Sequence, residues 1–189
     1  MDLQHLNVKV FAGLAAVDLA DAIPVFHRWI QQGVTGELLI DVADYSHVPG
    51  GPGMILVGHE ANYSLDLGPE NRLGLLYNRK TAAGGTAQEK LLHAFHAAFQ
   101  ACRRLEDEPD FSGKLRFNAG ACEIAVNDRL LAPATEETWQ ALKPEFDRFF
   151  GNLFRGQPYT LERAGTPRER FRVRVTTAEP IAIHSLISK

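Results

Sequence analysis

Residues 86–105, TAQEKLLHAFHAAFQACRRL, carry Leu91, Leu92, Phe95, Phe99, Cys102 and Leu105 at helical spacing. A stripe of that length predicts an amphipathic helix, and such a helix is stable only when its apolar face lies against a second layer. Thr86 and Glu89 stand at capping-box spacing, which fixes where the helix begins. The flanking sequence supplies the second layer. NVKVF (7–11), ELLIDVADYSH (37–47), MILVGHEANYSLDL (54–67) and RLGLLYNRK (72–80) alternate apolar and polar residues as strands do. VPGGPG and GPEN link the last three of these and have turn composition.

Two further helices are predicted. LADAIPVFHRWIQQG places Leu19, Ile23, Phe26 and Ile30 on one side, Gly33 at its stop and Pro24 near its first turn. TEETWQALKPEFDRFFGNLF (135–154) keeps Trp139, Leu142, Phe146, Phe149, Phe150 and Leu153 on one face across Pro144, where a kink or two abutting helices are expected. KLRFNAGACEIAVNDRL (114–130) reads as a hairpin turning near Ala119-Gly120. YTLERAG and RFRVRVTT form a last hairpin, with Phe171, Val173 and Val175 on one side and Arg170, Arg172 and Arg174 on the other. The expected order is β-α-β-β-β-α-β-β-α-β-β. This is an α+β chain with a mostly antiparallel sheet and about three helices packed on it. Its first elements resemble a ferredoxin-like order with one added strand, as topology and not as kinship.

A chain of 189 residues, 45% hydrophobic, is long enough for one substantial core. Residues 1–189 are read as a single domain, with the acidic, proline-containing stretch 106–114 as the place for a subdomain boundary. The formal net charge of -3 argues against nucleic acid or an anionic membrane as partner. Residues 1–80 carry nine acids and five bases, whereas residues 155–189 carry three acids and seven bases. The two ends are therefore expected to meet and neutralise each other. Cys102 and Cys122 have neither metal-type spacing nor a framework of pairs, which fits a reduced compartment. The start lacks the pattern of a secretory signal, and no apolar run approaches the ~20 residues of a membrane span. A soluble, cytoplasmic protein is expected.

The stretch DYSHVPGGPGMILVGHE (44–60) holds the candidate site. Val48-Pro49-Gly50-Gly51 and Gly51-Pro52-Gly53-Met54 each place proline and then glycine at the central turn positions, so a stiff loop is expected. If 37–47 and 54–67 are two long paired strands, Asp44 and His59 share their apolar face as direct or diagonal neighbours. A carboxylate beside an imidazole is either a structural hydrogen bond or a base with its orienting partner. On the opposite face Asp41 faces Glu60, and a cation, Arg79 or Lys80, is needed between them. Tyr45, His47, Gly50, Gly51, Glu60 and Arg79 are accordingly the candidate ligand contacts.

Three functions follow as expectations. The first is a module that binds a small molecule or a protein near the 44–60 hairpin and forms a homodimer through a sheet edge or helix face. The second is an enzyme with His59 as base and Asp44 as orienter. The third is a metal site at His47/Glu60, or at His93/His96 with Glu89 one turn away. No ligand spacing diagnostic of a metal, no dinucleotide fingerprint and no complete P-loop is present, so no cofactor is expected. The arginines of the last hairpin, with Arg163 and Arg168, are a candidate carboxylate or phosphate grip. Pairing with Glu162, Glu169 or the acidic N-terminal half is their alternative.

Overall fold

A computed structural model describes residues 3–166 and 168–187. The strands are β1 (Leu6–Ala15), β2 (Leu39–Tyr45), β3 (Gly53–Gly58), β4 (Ala61–Asp66), β5 (Gly74–Arg79), β6 (Leu115–Val126), β7 (Tyr159–Ala164) and β8 (Phe171–Thr177). The helices are α1 (Ala22–Gln32), α2 (Ala87–Asp107), α3 (Glu136–Leu153) and the single turn α4 (Ile183–Leu186). All eight strands join one sheet in the order β2-β3-β4-β5-β1-β6-β8-β7, with antiparallel neighbours throughout. The expected α+β class with a mostly antiparallel sheet holds.

The helices and the apolar rows meet as the period-2 and period-3.6 patterns require. Val8 and Val10, Leu75 and Tyr77, Ile124 and Cys122, and Phe171, Val173 and Val175 occupy facing positions on one side of the sheet, all buried. α2 lies across β1, β5 and β6 and supplies Leu91, Phe95, Phe99, Cys102 and Leu105. Leu92, expected in this stripe, lies outside it and is exposed. Phe95 is the centre of an aromatic cluster, with ring centroids 5.6, 5.0 and 5.4 Å from Phe99, Phe149 and Phe150. The Thr86/Glu89 capping box forms as expected. α1 ends on Gly33 at φ 59°, a left-handed conformation that favours glycine. α3 is one helix through Pro144, which is exposed, so two abutting helices do not form there.

Two boundaries differ from the sequence reading. Residues 54–67 are two strands, not one: the chain reverses at His59-Glu60, so β2 to β5 form a four-stranded meander. Residues 114–130 hold one long strand, β6, and not a hairpin. Gly120 lies at an irregularity of the β1–β6 pairing, with the Thr177 side chain of β8 close against it; a Cβ there would lie 1.9 Å from Thr177 Oγ1. Glycine within a strand marks such close approach as readily as a turn. Gly120→Ala is therefore expected to cost about 1–3 kcal/mol by overpacking, read as a lower urea midpoint at unchanged slope.

The segment after α2 is tied to α1. Trp29 Nε1 donates to Glu108 at 2.6 Å, and Arg28 pairs with Glu108 at 2.7 Å and with Asp110. One link between the two oppositely charged ends forms, where Arg174 of β8 meets Glu70 of the N-terminal half.

Candidate functional site

α1 lies on β2 and β3, and α2 lies on β1, β5 and β6. Between them the helix-facing side of β4 and the end of β5 are left under a gap. There the core row changes character: Tyr63, Tyr77 and Arg79 continue the side of the sheet that elsewhere carries Leu65, Leu75 and Val8. The result is a cleft of about 570 Å³ floored by the two tyrosines, walled by α2 and closed by residues 34–37. Polar side chains in line with core positions require partners, and these have them.

Glu37 is the organiser. Its Oε2 accepts from the backbone N–H groups of Glu60 (2.9 Å) and Ala61 (2.8 Å), and its Oε1 accepts from the Tyr63 hydroxyl (3.0 Å). One carboxylate thus holds the β3–β4 turn and the floor of the cleft together. Gly58 makes room for it: a Cβ at 58 would lie 2.5 Å from the Ala61 carbonyl oxygen and 2.8 Å from Glu37 Oε2. Burial, with the neighbouring Glu37 charge, pushes the Tyr63 phenol far above its ordinary value, so it remains a donor. Tyr63 and Tyr77 meet edge to face at 5.4 Å.

Arg79 is the cation of the cleft, largely withdrawn from solvent with its side chain 14% exposed. Its Nη2 pairs with Glu60 Oε2 at 3.0 Å and its Nε donates to the Thr81 carbonyl at 3.1 Å. The expected cation beside Glu60 is therefore Arg79, while Lys80 Nζ turns to the Gly58 carbonyl. Across the cleft, α2 presents His93, His96, Gln100 and Arg104, spaced by three and four residues on the side away from its apolar stripe. His96 shares a 3.3 Å contact with Gln100. Partial burial, and next the Arg79 guanidinium, hold the His93 pKa below its ordinary value against the opposing pull of Glu60 and Glu37; His96 adds to the lowering.

The 44–60 residues do not form one cluster. Asp44 stands opposite Met54 and is exposed; its Oδ1 accepts from the Ser46 N–H (2.8 Å) and hydroxyl (2.6 Å), which lowers its pKa. His59 lies in the β3–β4 turn, exposed, at the other end of the strands. The expected Asp44–His59 pairing does not form, because the reversal at His59-Glu60 removes His59 from the strand. Asp41 likewise faces Val57 and not Glu60. Tyr45 and His47 stack on each other, centroids 6.4 Å apart, on the exposed end of β2. Gly50 and Gly53 take positive φ, 64° and 62°, as the two proline-glycine turns demand. Gly50 and Gly51 line a second cleft on the opposite face of the sheet. Of the ligand contacts read from sequence, Glu60 and Arg79 line the cleft under α2, whereas Tyr45, His47, Gly50 and Gly51 lie away from it.

Glu37, Tyr63, Tyr77 and the α2 stripe were not singled out together by the sequence, although His93 and His96 were noted as a helical pair. Among the described residues no group of three or more His, Cys, Asp or Glu side chains is placed to hold a metal ion. Both cysteines are buried, and burial raises both thiols. Comparison of the chain with protein-family models, with curated proteins and with solved structures finds no match.

Proposed function

We propose that the chain is a small-molecule binding module whose ligand is an organic acid with an apolar body, held in the cleft between α2 and the β4–β5 floor. The observation that supports this most is the balance of committed and uncommitted groups around Arg79. The two carboxylates of the cleft are occupied, Glu37 by three hydrogen bonds and Glu60 by Arg79. His93 and Arg104 have no hydrogen bond or ion pair among the described residues, and His96 meets only Gln100 of its own helix. What remains to meet a ligand is cationic or hydrogen-bond donating, above an apolar floor of tyrosine rings. An apolar body with a carboxylate satisfies both.

The screen that tests this measures the melting temperature with aromatic and aliphatic carboxylic acids, benzoate and phenylacetate among them. A binding acid is expected to raise it by mass action, and His96→Ala and Arg104→Ala, both exposed changes, are expected to remove the rise. No shift with any acid, or a shift that both variants retain, contradicts the reading.

The proposal carries a pH dependence with a definite sign. The free protein holds His93 below its ordinary pKa, and a bound carboxylate favours the charged imidazole. Binding thus raises the pKa of His93 and takes up a proton. Affinity for the acid is expected to increase as pH falls from 7 toward the depressed pKa of free His93. His93→Gln is expected to flatten that slope in calorimetric titrations between about pH 5 and 7. The groups facing His93, namely Arg79, Glu60, Glu37 and His96, are retained in that variant.

A further inference from the structure

Among the described residues α1 and α2 pack on one face of the sheet, and the opposite face bears a cleft of about 610 Å³. Polar side chains on the open face of an antiparallel sheet are ordinary; a buried one without a partner is not. Asn7 lines this cleft at 3% exposure, and its Oδ1 has no hydrogen-bond partner among the described residues. Asn7 begins a row that continues through Asn78 of β5 to Asn62 of β4, whose Oδ1 is also buried without a partner among them.

The cleft runs diagonally. Gly50, Gly51 and Pro52 border it from the β2–β3 loop at one end of the strands, and Arg129, Arg168 and Arg170 from loops at the other end. Its carboxylates are all engaged. Asp66 pairs with Lys9 at 2.6 Å, Glu123 pairs with Arg172 at 3.4 Å and Arg174 at 3.5 Å, and Glu169 pairs with Arg172 while accepting the Thr166 N–H at 2.6 Å. Arg129 and Arg168 have neither a hydrogen bond nor an ion pair among the described residues, and Arg170 reaches only Asn127, at 3.4 Å. Unspent positive charge stands at one end and an unspent acceptor on the floor. Between them lies space: Arg172, Ala125 and Asn7 occupy neighbouring positions on β8, β6 and β1. Ala125 carries only a methyl, so the strands that bear the two longer side chains stand about 10 Å, two strand spacings, apart with a short side chain between them.

We propose that this cleft binds a phosphorylated polyol, its phosphate held by Arg129, Arg168 and Arg170 and a hydroxyl of its body donating to Asn7 Oδ1. Guanidinium forks match a phosphate dianion in charge and geometry. A neutral polyol leaves the arginines unused, and a bare anion leaves Asn7 unpaired. The site lies across the sheet from the Arg79 cleft and does not depend on a ligand there.

Calorimetric titration of the full chain with inorganic phosphate, glucose and glucose 6-phosphate tests the assignment. The sugar phosphate is expected to bind roughly tenfold or more tighter than phosphate, and glucose alone not detectably. Arg129→Gln/Arg168→Gln is expected to weaken both phosphate-bearing probes roughly tenfold. Asn7→Leu is expected to abolish the sugar's advantage while phosphate binding remains. If Asn7→Leu does not fold, Ala125→Leu, which fills the space and leaves Asn7 in place, is expected to give the same loss. Equal affinity for phosphate and sugar phosphate, binding of glucose alone, affinities unchanged in the arginine variant, or no binding of any probe each overturns the assignment.

Discussion

Replacing Glu37 with alanine is expected to lower stability by about 2–4 kcal/mol, well above a surface substitution. The change removes three acceptor contacts, at 2.9, 2.8 and 3.0 Å. It leaves the Tyr63 hydroxyl, on a residue only 4% exposed, without its partner. Glu37→Gln separates the causes. An amide oxygen still accepts the two backbone N–H groups, and the amide nitrogen can donate to the Tyr63 oxygen, so most of the stability is expected to return. Urea unfolding of the three proteins reads the result. If alanine costs no more than glutamine, Glu37 does not organise the cleft. Loss of the β3–β4 turn also displaces Glu60, and with it the partner of Arg79, so the alanine variant is expected to lose ligand binding even below its melting temperature.

Phe95→Ala is expected to have the largest effect on the fold, about 3–5 kcal/mol, because a buried aromatic leaves both lost transfer energy and a cavity. Phe95 touches Phe99 on its own helix and Phe149 and Phe150 on α3, and is 1% exposed. It joins α2 to α3. Phe95→Leu keeps most of the volume and is expected to cost less than half as much. Comparable losses for both changes would indicate that ring packing, and not filled volume, holds α2 to α3.

The parts of the fold that were legible in sequence are those in which local pattern and tertiary need agree. The apolar stripe and capping box of α2, the glycine stop of α1 and the two-sided hairpin of arginines and β-branched residues each state their structure within a few neighbouring residues. The two misplaced boundaries are cases where a distant group decides. Gly58-His59-Glu60-Ala61 has none of the usual two-residue hairpin signals; its turn is stabilised by Glu37, more than twenty residues earlier. Ala119-Gly120 resembles a turn, and the β1–β6 pairing is irregular there, but β6 continues through it and lies close against β8 at the glycine.

The candidate site was less legible for the same reason. Reading 54–67 as one strand put His59 on the same face as Asp44 and hid the turn that sends Glu60 toward Arg79. Glu60 and Arg79 come from a reading in which Asp41 faces Glu60 and the like charges call for a cation; Asp41 faces Val57 instead, yet Arg79 still pairs with Glu60. Tyr63 and Tyr77 read as ordinary β formers. Only the gap between α1 and α2 shows that their rings form the floor of a cleft, and α2's histidines gain their meaning from the strand opposite them.

We propose that the cleft over Tyr63, Tyr77 and Arg79 receives a small organic acid from the α2 side. Amide and imidazole NMR shifts followed during titration with the acid that most raises the melting temperature test it most directly. The account predicts saturable shifts at His93, His96 and Gln100, at residues 34–37 and along β4 and β5, with the His93 imidazole moving toward its protonated position. Shifts confined to the open face of the sheet or to the 44–52 loop, or no saturable shift with any acid, would contradict it.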